Sequence, residues 1–136
     1  MSKFNEQLYF DTVTLWKRLC ELHRELYEAT CDEYQLLLES KIEELAPVIE
    51  SKQKIISLIS IEEEKRKHLI SEFAKSTALE ISSISDLLSC VEPFEVMDNQ
   101  RHLFRYNKLL IDIIEKIQEQ NKRNKLFINK AFTALD

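Results

Sequence analysis

Glycine is absent from the chain's 136 residues, and proline occurs only at Pro47 and Pro93. Glycine takes positive φ without strain at turns, helix ends and strand bends. A chain that lacks it has little use for tight turns, phosphate-cradling loops or strained catalytic backbone. Cysteine is scarce as well. Cys20, Cys31 and Cys90 are odd in number and form no C-x-x-C pair, which indicates neither a disulfide framework nor a zinc site. They read as buried or half-buried thiols of a reducing compartment. Long apolar runs are missing, since no window approaches 18 apolar residues and nothing is expected to span a membrane. The first residues lack a basic segment followed by an apolar core, so no signal peptide is expected and a cytoplasmic location is.

What remains is rich in Leu, Ile, Glu and Lys, the composition of long helices joined by few connections. With 44% hydrophobic and 32% charged residues, the chain has enough apolar side chain for a core. Its length fits a single domain, residues 1–136. The net charge of −5 argues against nucleic-acid binding. That charge is uneven: residues 1–50 hold eleven acids and five bases, a net of −6. Residues 115–130 hold Lys116, Lys122, Arg123, Lys125 and Lys130 against Glu115 and Glu119, a net of +3. Solvated helix faces account for both stretches.

Three long segments and two breaks organise the chain. The first, from about Asn5 to Glu39, has one apolar stripe at Leu8, Leu15, Leu19, Leu22, Leu26, Ala29 and Leu36. A second lies beside it at Tyr9, Val13, Trp16, Cys20, Tyr27, Tyr34 and Leu37. Two adjacent stripes give the wide face of a bundle helix. Ser40 followed by Glu43 reads as a capping box that starts a second helix, over about 41–75. Its seam is Ile42, Leu45, Ile49, Lys52, Ile56, Ile59, Glu63, Arg66, Ile70 and Phe73. Pro47 is expected to remove one backbone bond near the start of that helix. Residues 76–94 form the connection, with a short helix capped by Ser83 and ended by Pro93. A third long helix is expected over about 95–134. The expected fold is all-α: an elongated antiparallel helical hairpin plus a third long helix, in a three-helix, coiled-coil-like bundle. A helix of this length extends about 50 Å at 1.5 Å per residue.

The seams contain polar residues. In the third helix a strict 4,3 spacing selects Leu103, Asn107, Leu110, Ile114, Ile117, Asn121, Asn124, Ile128, Ala131 and Leu135. Asparagine in a seam costs stability but fixes register. Glu33, Lys52, Glu63 and Arg66 occupy equivalent places on the other helices, and buried charges must be paired. Antiparallel counting groups Glu33, Lys52, Asn121 and Asn124 in one polar layer. It groups Glu63, Arg66 and Asn107 in a second.

Catalytic patterns are sparse. None of His23, His68 and His102 has a glutamate three residues before it, as a di-iron bundle requires. No H-E-x-x-H or nucleophile elbow occurs. Phosphotransfer needs small neighbours beside the histidine, whereas Leu22 and Arg24 flank His23, and Lys67 and Leu69 flank His68. No enzyme activity, cofactor or metal is expected.

Glu33, Leu37, Ser40, Leu45, Val48, Lys52, Leu58 and Arg66, with the asparagine-containing segment from Asn107 to Leu135, form a recognisable pattern. In these residues the chain resembles the FlgN family of flagellar type III export chaperones. The resemblance implies a cytoplasmic chaperone for hook-associated proteins of the hook–filament junction. It would shield their C-terminal amphipathic helices and deliver them to the export gate and its ATPase. The contact would be a helix laid in an apolar groove. Because the last helix carries the substrate contact in that family, the implied residues are Ile113, Ile117, Leu126, Phe127, Ile128, Phe132 and Leu135. A late tyrosine used for gate docking in some members has no counterpart, since Tyr106 is the last tyrosine. A homodimer is a further expectation, from the width of the apolar face. The alternative reading is a structural coiled coil, or a regulatory adaptor that sequesters a helical partner.

Overall fold

A computed structural model describes residues 3–135, apart from the side chains of Phe132, Ala134 and Leu135. It contains four helices: α1 (Lys3–Leu38), α2 (Ile42–Thr77), α3 (Ile84–Asp98) and α4 (His102–Leu135). No strand occurs among the described residues. The class is all-α, as the periodicity implies.

Two of the three connections differ from the sequence expectation. Ser40 does not cap α2. It stands at φ 57°, where its N–H donates to the Leu37 carbonyl at 3.2 Å and the N–H of Lys41 donates to the Leu36 carbonyl at 3.0 Å. These are the paired bonds of a Schellman ending, so Ser40 terminates α1 in the place glycine usually fills. Pro93 does not end the short helix, which continues to Asp98 with the proline inside it. The third long helix therefore starts at His102 rather than near residue 95. Asn99 makes the break. It takes φ 63°, and its N–H donates to the Glu95 carbonyl at 3.1 Å. Asparagine tolerates this left-handed conformation better than other non-glycine residues. Pro47 likewise lies inside α2, which starts ahead of it at Ile42. At Ser83 the reading holds: its hydroxyl accepts from the Asp86 N–H at 3.1 Å, and Asp86 Oδ2 accepts from the Ser82 N–H at 3.0 Å.

The contacts divide the chain into two compact units. One comprises Met1–Cys20 and Ser60–Leu110, the other Glu21–Ile59 and Ile111–Asp136. In the first unit, Leu8, Leu15, Trp16 and Leu19 of α1 are buried with Phe73 of α2, Leu87, Val91 and Phe94 of α3, and Leu103 and Leu110 of α4. Asn5 pairs with Ser76, and Trp16 lies against Arg66. These contacts set α1 and α2 antiparallel. In the second unit the buried apolar set is thinner, with Leu22, Ala29 and Ile117, joined by buried His23, Thr30, Gln120 and Asn124. Most of its remaining inward side chains are half-buried.

The seam expected for α2 splits into two columns. Leu45, Lys52, Ile59, Arg66 and Ile70 are half-buried and Phe73 is fully buried. Ile42, Ile49 and Ile56, assigned to the same seam, instead remain 73%, 42% and 49% exposed. The inward column continues through Val48 and Ile55, both half-buried, so the helix presents a face rotated away from these three isoleucines. A wide apolar face read from one helix does not say which of its edges faces the core.

Candidate protein-binding site

Side chains of α1, α2 and α4 meet in a polar cluster in the second unit. Asn124, 3% exposed, donates through Nδ2 to the Thr30 carbonyl at 3.0 Å and to Glu33 Oε1 at 2.7 Å. Its Oδ1 accepts from Gln120 Nε2 at 3.0 Å. Lys52 Nζ lies 3.3 Å from the same Glu33 oxygen, with both side chains 15% exposed. Each buried polar group thus has a partner, which offsets the cost of removing it from water. Of the residues counted into the first layer, Glu33, Lys52 and Asn124 lie together in this cluster. Asn121 is half-buried and makes none of the cluster's hydrogen bonds. Thr30 and Gln120, which the seam reading omitted, complete the set. Both lie one helical turn from cluster members, at i−3 from Glu33 and i−4 from Asn124, the spacing that could have found them.

The residues of the second predicted layer lie in the first unit, joined through a residue the prediction did not include. Arg66 Nη1 lies 3.4 Å from Glu63, on the same helix. Its guanidinium sits 4.8 Å over the centre of the Trp16 ring, and Trp16 Nε1 donates to Asn107 Oδ1 at 3.1 Å. The fully buried indole therefore connects the arginine of α2 with the asparagine of α4. Trp16 is the chain's only tryptophan, and a buried indole requires an acceptor. That requirement was available in the sequence as a signal for a partner.

A third network was not legible as a motif. Tyr9 Oη donates to Glu95 Oε2 at 3.0 Å and to Asp98 Oδ2 at 3.1 Å. Glu95 Oε1 accepts from the Phe104 N–H at 2.9 Å, and Asp98 Oδ2 accepts from the His102 N–H at 3.3 Å and contacts its ring Nδ1 at 2.7 Å. Two carboxyl groups at the end of α3 thus satisfy open N–H groups at the start of α4, where the helix dipole favours negative charge. Burial, followed by the Glu95 contact, pushes the Tyr9 hydroxyl far above its usual pKa. Burial acts to raise Asp98, but the hydrogen bonds from the His102 backbone and ring and from Tyr9 outweigh it. They hold the carboxyl below its ordinary value.

The residues expected to face a client are dispersed in exposure. Ile117 is 7% exposed and belongs to the core of its unit. Ile113, Phe127 and Ile128 are half-buried. Phe127 packs edge-on against Tyr34, with ring centroids 6.1 Å apart at 83°. Leu126 is 58% exposed, between Lys125 and the Phe127 ring. The side chains of Phe132 and Leu135 lie outside the described residues. Lys122, Arg123, Lys125 and Lys130 are exposed along the same stretch, with Arg123 paired to Glu119 at 3.3 Å. Of the residues that carry the resemblance, Glu33, Lys52 and Arg66 enter the polar networks, and Leu37, Leu45 and Val48 are half-buried. Leu58 is exposed, and Ser40 forms the turn.

Among the described residues no group of three or more His, Cys, Asp or Glu could hold a metal ion. None of the described helices is long and apolar enough to cross a membrane. What the surface offers is apolar helix edges beside charged side chains, the material of protein recognition. A family model described as FlgN protein matches residues 6–136, nearly the whole chain. No curated protein and no solved structure matches the chain significantly. With helical class, seam polar residues and family match in agreement, the chain belongs to the FlgN family of flagellar export chaperones.

Proposed function

We propose that this protein chaperones hook-associated subunits of the hook–filament junction in the cytoplasm. It covers their C-terminal amphipathic helices and hands them to the export gate and its ATPase. The observation that carries this reading is the end of α4, where Leu126 stands 58% exposed beside half-buried Phe127 and Ile128. An apolar side chain held in water next to partly covered neighbours gains by burial under a guest helix. A full leucine is worth about 1.5–3 kcal/mol. Ile113, Leu126, Phe127 and Ile128 form the accessible contact set. Ile117 becomes available only when α4 lifts from its unit. Phe132 and Leu135, further along the sequence, complete the proposed contact residues. No catalytic step is part of the proposal.

The polar cluster determines how the reading is tested. Removing residues 121–136 would also remove Asn124 from Thr30 and Glu33, so loss of binding would be mixed with loss of packing. Leu126→Asp avoids this. Purified chain and purified hook-associated subunits, titrated by calorimetry, should show binding that Leu126→Asp weakens about tenfold or more, with unchanged helicity by circular dichroism. Wild-type affinity in the variant would refute the assignment of the site. Absence of binding to any hook-associated subunit would refute the client class.

A further inference from the structure

A second apolar face lies on α2, a different helix from the α4 residues considered above. Ile42, Ile49 and Ile56 repeat every seven residues, so their side chains share one line of the helix over about 21 Å. All three are exposed, and Ala46 and Gln53, exposed and uncharged, fall between them at alternating four- and three-residue steps. The stripe Ile42, Ala46, Ile49, Gln53, Ile56 has the 4,3 pattern of a coiled-coil seam with no helix against it. It is not the inward seam, which runs through Leu45, Lys52 and Ile59.

The charges along this stripe identify what fits. Glu43 and Glu50 directly follow two of the isoleucines, and Glu39 and Glu44 lie close by at the α1–α2 turn. Lys41 is engaged by Glu39 at 3.0 Å and Lys54 by Glu50 at 3.9 Å. Lys52 is turned to Glu33. Lys41 is also attracted to Glu44, yet Glu39, Glu43, Glu44 and Glu50 outnumber Lys41 and Lys54, so the rim keeps an acidic excess. Hydrogen bonding from Gln35, then Lys41, holds Glu39 below the ordinary carboxylate range, so that end of the rim stays ionised. The same α2 face of a second copy would bring glutamates against glutamates, which costs free energy at flanking seam positions.

We propose that the Ile42–Ile49–Ile56 face of α2 docks a helical partner segment whose apolar stripe is flanked by lysine or arginine. The isoleucines supply the contact, and the acidic rim selects the charge of the guest and accelerates its approach. This proposal does not rest on the client surface on α4. One can be wrong while the other holds.

The test uses the full chain and two synthetic 18-residue helical peptides with the same leucine stripe, one flanked by lysines and one by glutamates. Fluorescence anisotropy should show the lysine peptide binding at least about fivefold more tightly, since each exposed pair contributes a small factor. The difference should shrink between about 0.05 M and about 0.5 M salt. Joint Ile49→Ser and Ile56→Ser should weaken binding about tenfold or more. Joint Glu43→Gln and Glu50→Gln should erase the preference between the peptides while leaving helicity unchanged by circular dichroism. Equal binding of both peptides, binding of neither, or binding unaffected by the two serine substitutions overturns the proposal. So does a wild-type dimer in light scattering that these serine substitutions convert to monomer, because the face would then belong to a second copy.

Discussion

Replacing Ala78 with glycine should stabilise this protein, although the same replacement inside a helix does the opposite. Ala78 follows the last residue of α2 and stands at φ 57°. An L-residue in that conformation pays about 1–2 kcal/mol because its Cβ crowds the following carbonyl oxygen. Glycine removes that cost but adds about 0.4–1 kcal/mol of unfolded-chain entropy. The difference leaves a gain of about 0.5–1 kcal/mol, or about 2–4 °C in Tm for a chain of this size. Ala46 supplies the control. It is exposed inside α2, where Ala→Gly should cost about 1 kcal/mol. Urea denaturation followed by circular dichroism would measure both, with the slope against urea unchanged if the variants alter stability alone. The chemistry of the two substitutions is identical, so opposite signs isolate the backbone conformation. Equal destabilisation by Ala78→Gly and Ala46→Gly would refute the reasoning.

Two further outcomes follow from the buried polar groups. Asn124→Leu should cost about 2 kcal/mol, because it leaves the buried Gln120 amide without its acceptor and takes from Glu33 an amide donor, leaving that carboxylate to Lys52, whereas Asn121→Leu should be neutral or stabilising; comparable losses in denaturation midpoint would contradict the cluster. Asp98 is depressed below its ordinary value, so its contribution is present above the unfolded-state value near 3.8 and lost as pH falls through the lower folded value. Asp98→Asn should therefore flatten the acid limb of a stability–pH profile, and an unchanged limb would rule the contribution out.

Much of the fold was legible because its signals are long-range and repetitive. Thirty-odd residues of 4,3 spacing with no glycine leave little besides helix, and Ser83 with Asp86 marked the start of α3 through its side-chain bond. The misreadings fell where one residue type serves two opposing local states. Ser40 suits an N-cap, but with no glycine to end α1 it takes the left-handed terminating position itself. Pro93 reads as a stop, yet packing of Leu87, Val91 and Phe94 carries α3 past it, with the proline ring exposed. Glu95 reads as surface and is buried, because Tyr9 and the Phe104 N–H, distant in sequence, converge on it. In the candidate site, the pairing of Glu33 with Lys52 and Asn124 could be counted from helix lengths. The exposure of Ile42, Ile49 and Ile56 could not, since periodicity fixes a stripe and leaves its rotation to the neighbouring helices.

The amide of Asn124 has a consequence for impostors. A helix that slid one heptad along α1, or replaced α4 there, would bring a residue such as Ile117 or Ala131 opposite Thr30 and Glu33 and take away the amide donor that the half-buried Glu33 carboxylate accepts from. Greasiness alone is therefore insufficient for entry at that level: an intruder must also carry a donor at the matching height. A helical export chaperone thereby protects its own seam from foreign helices.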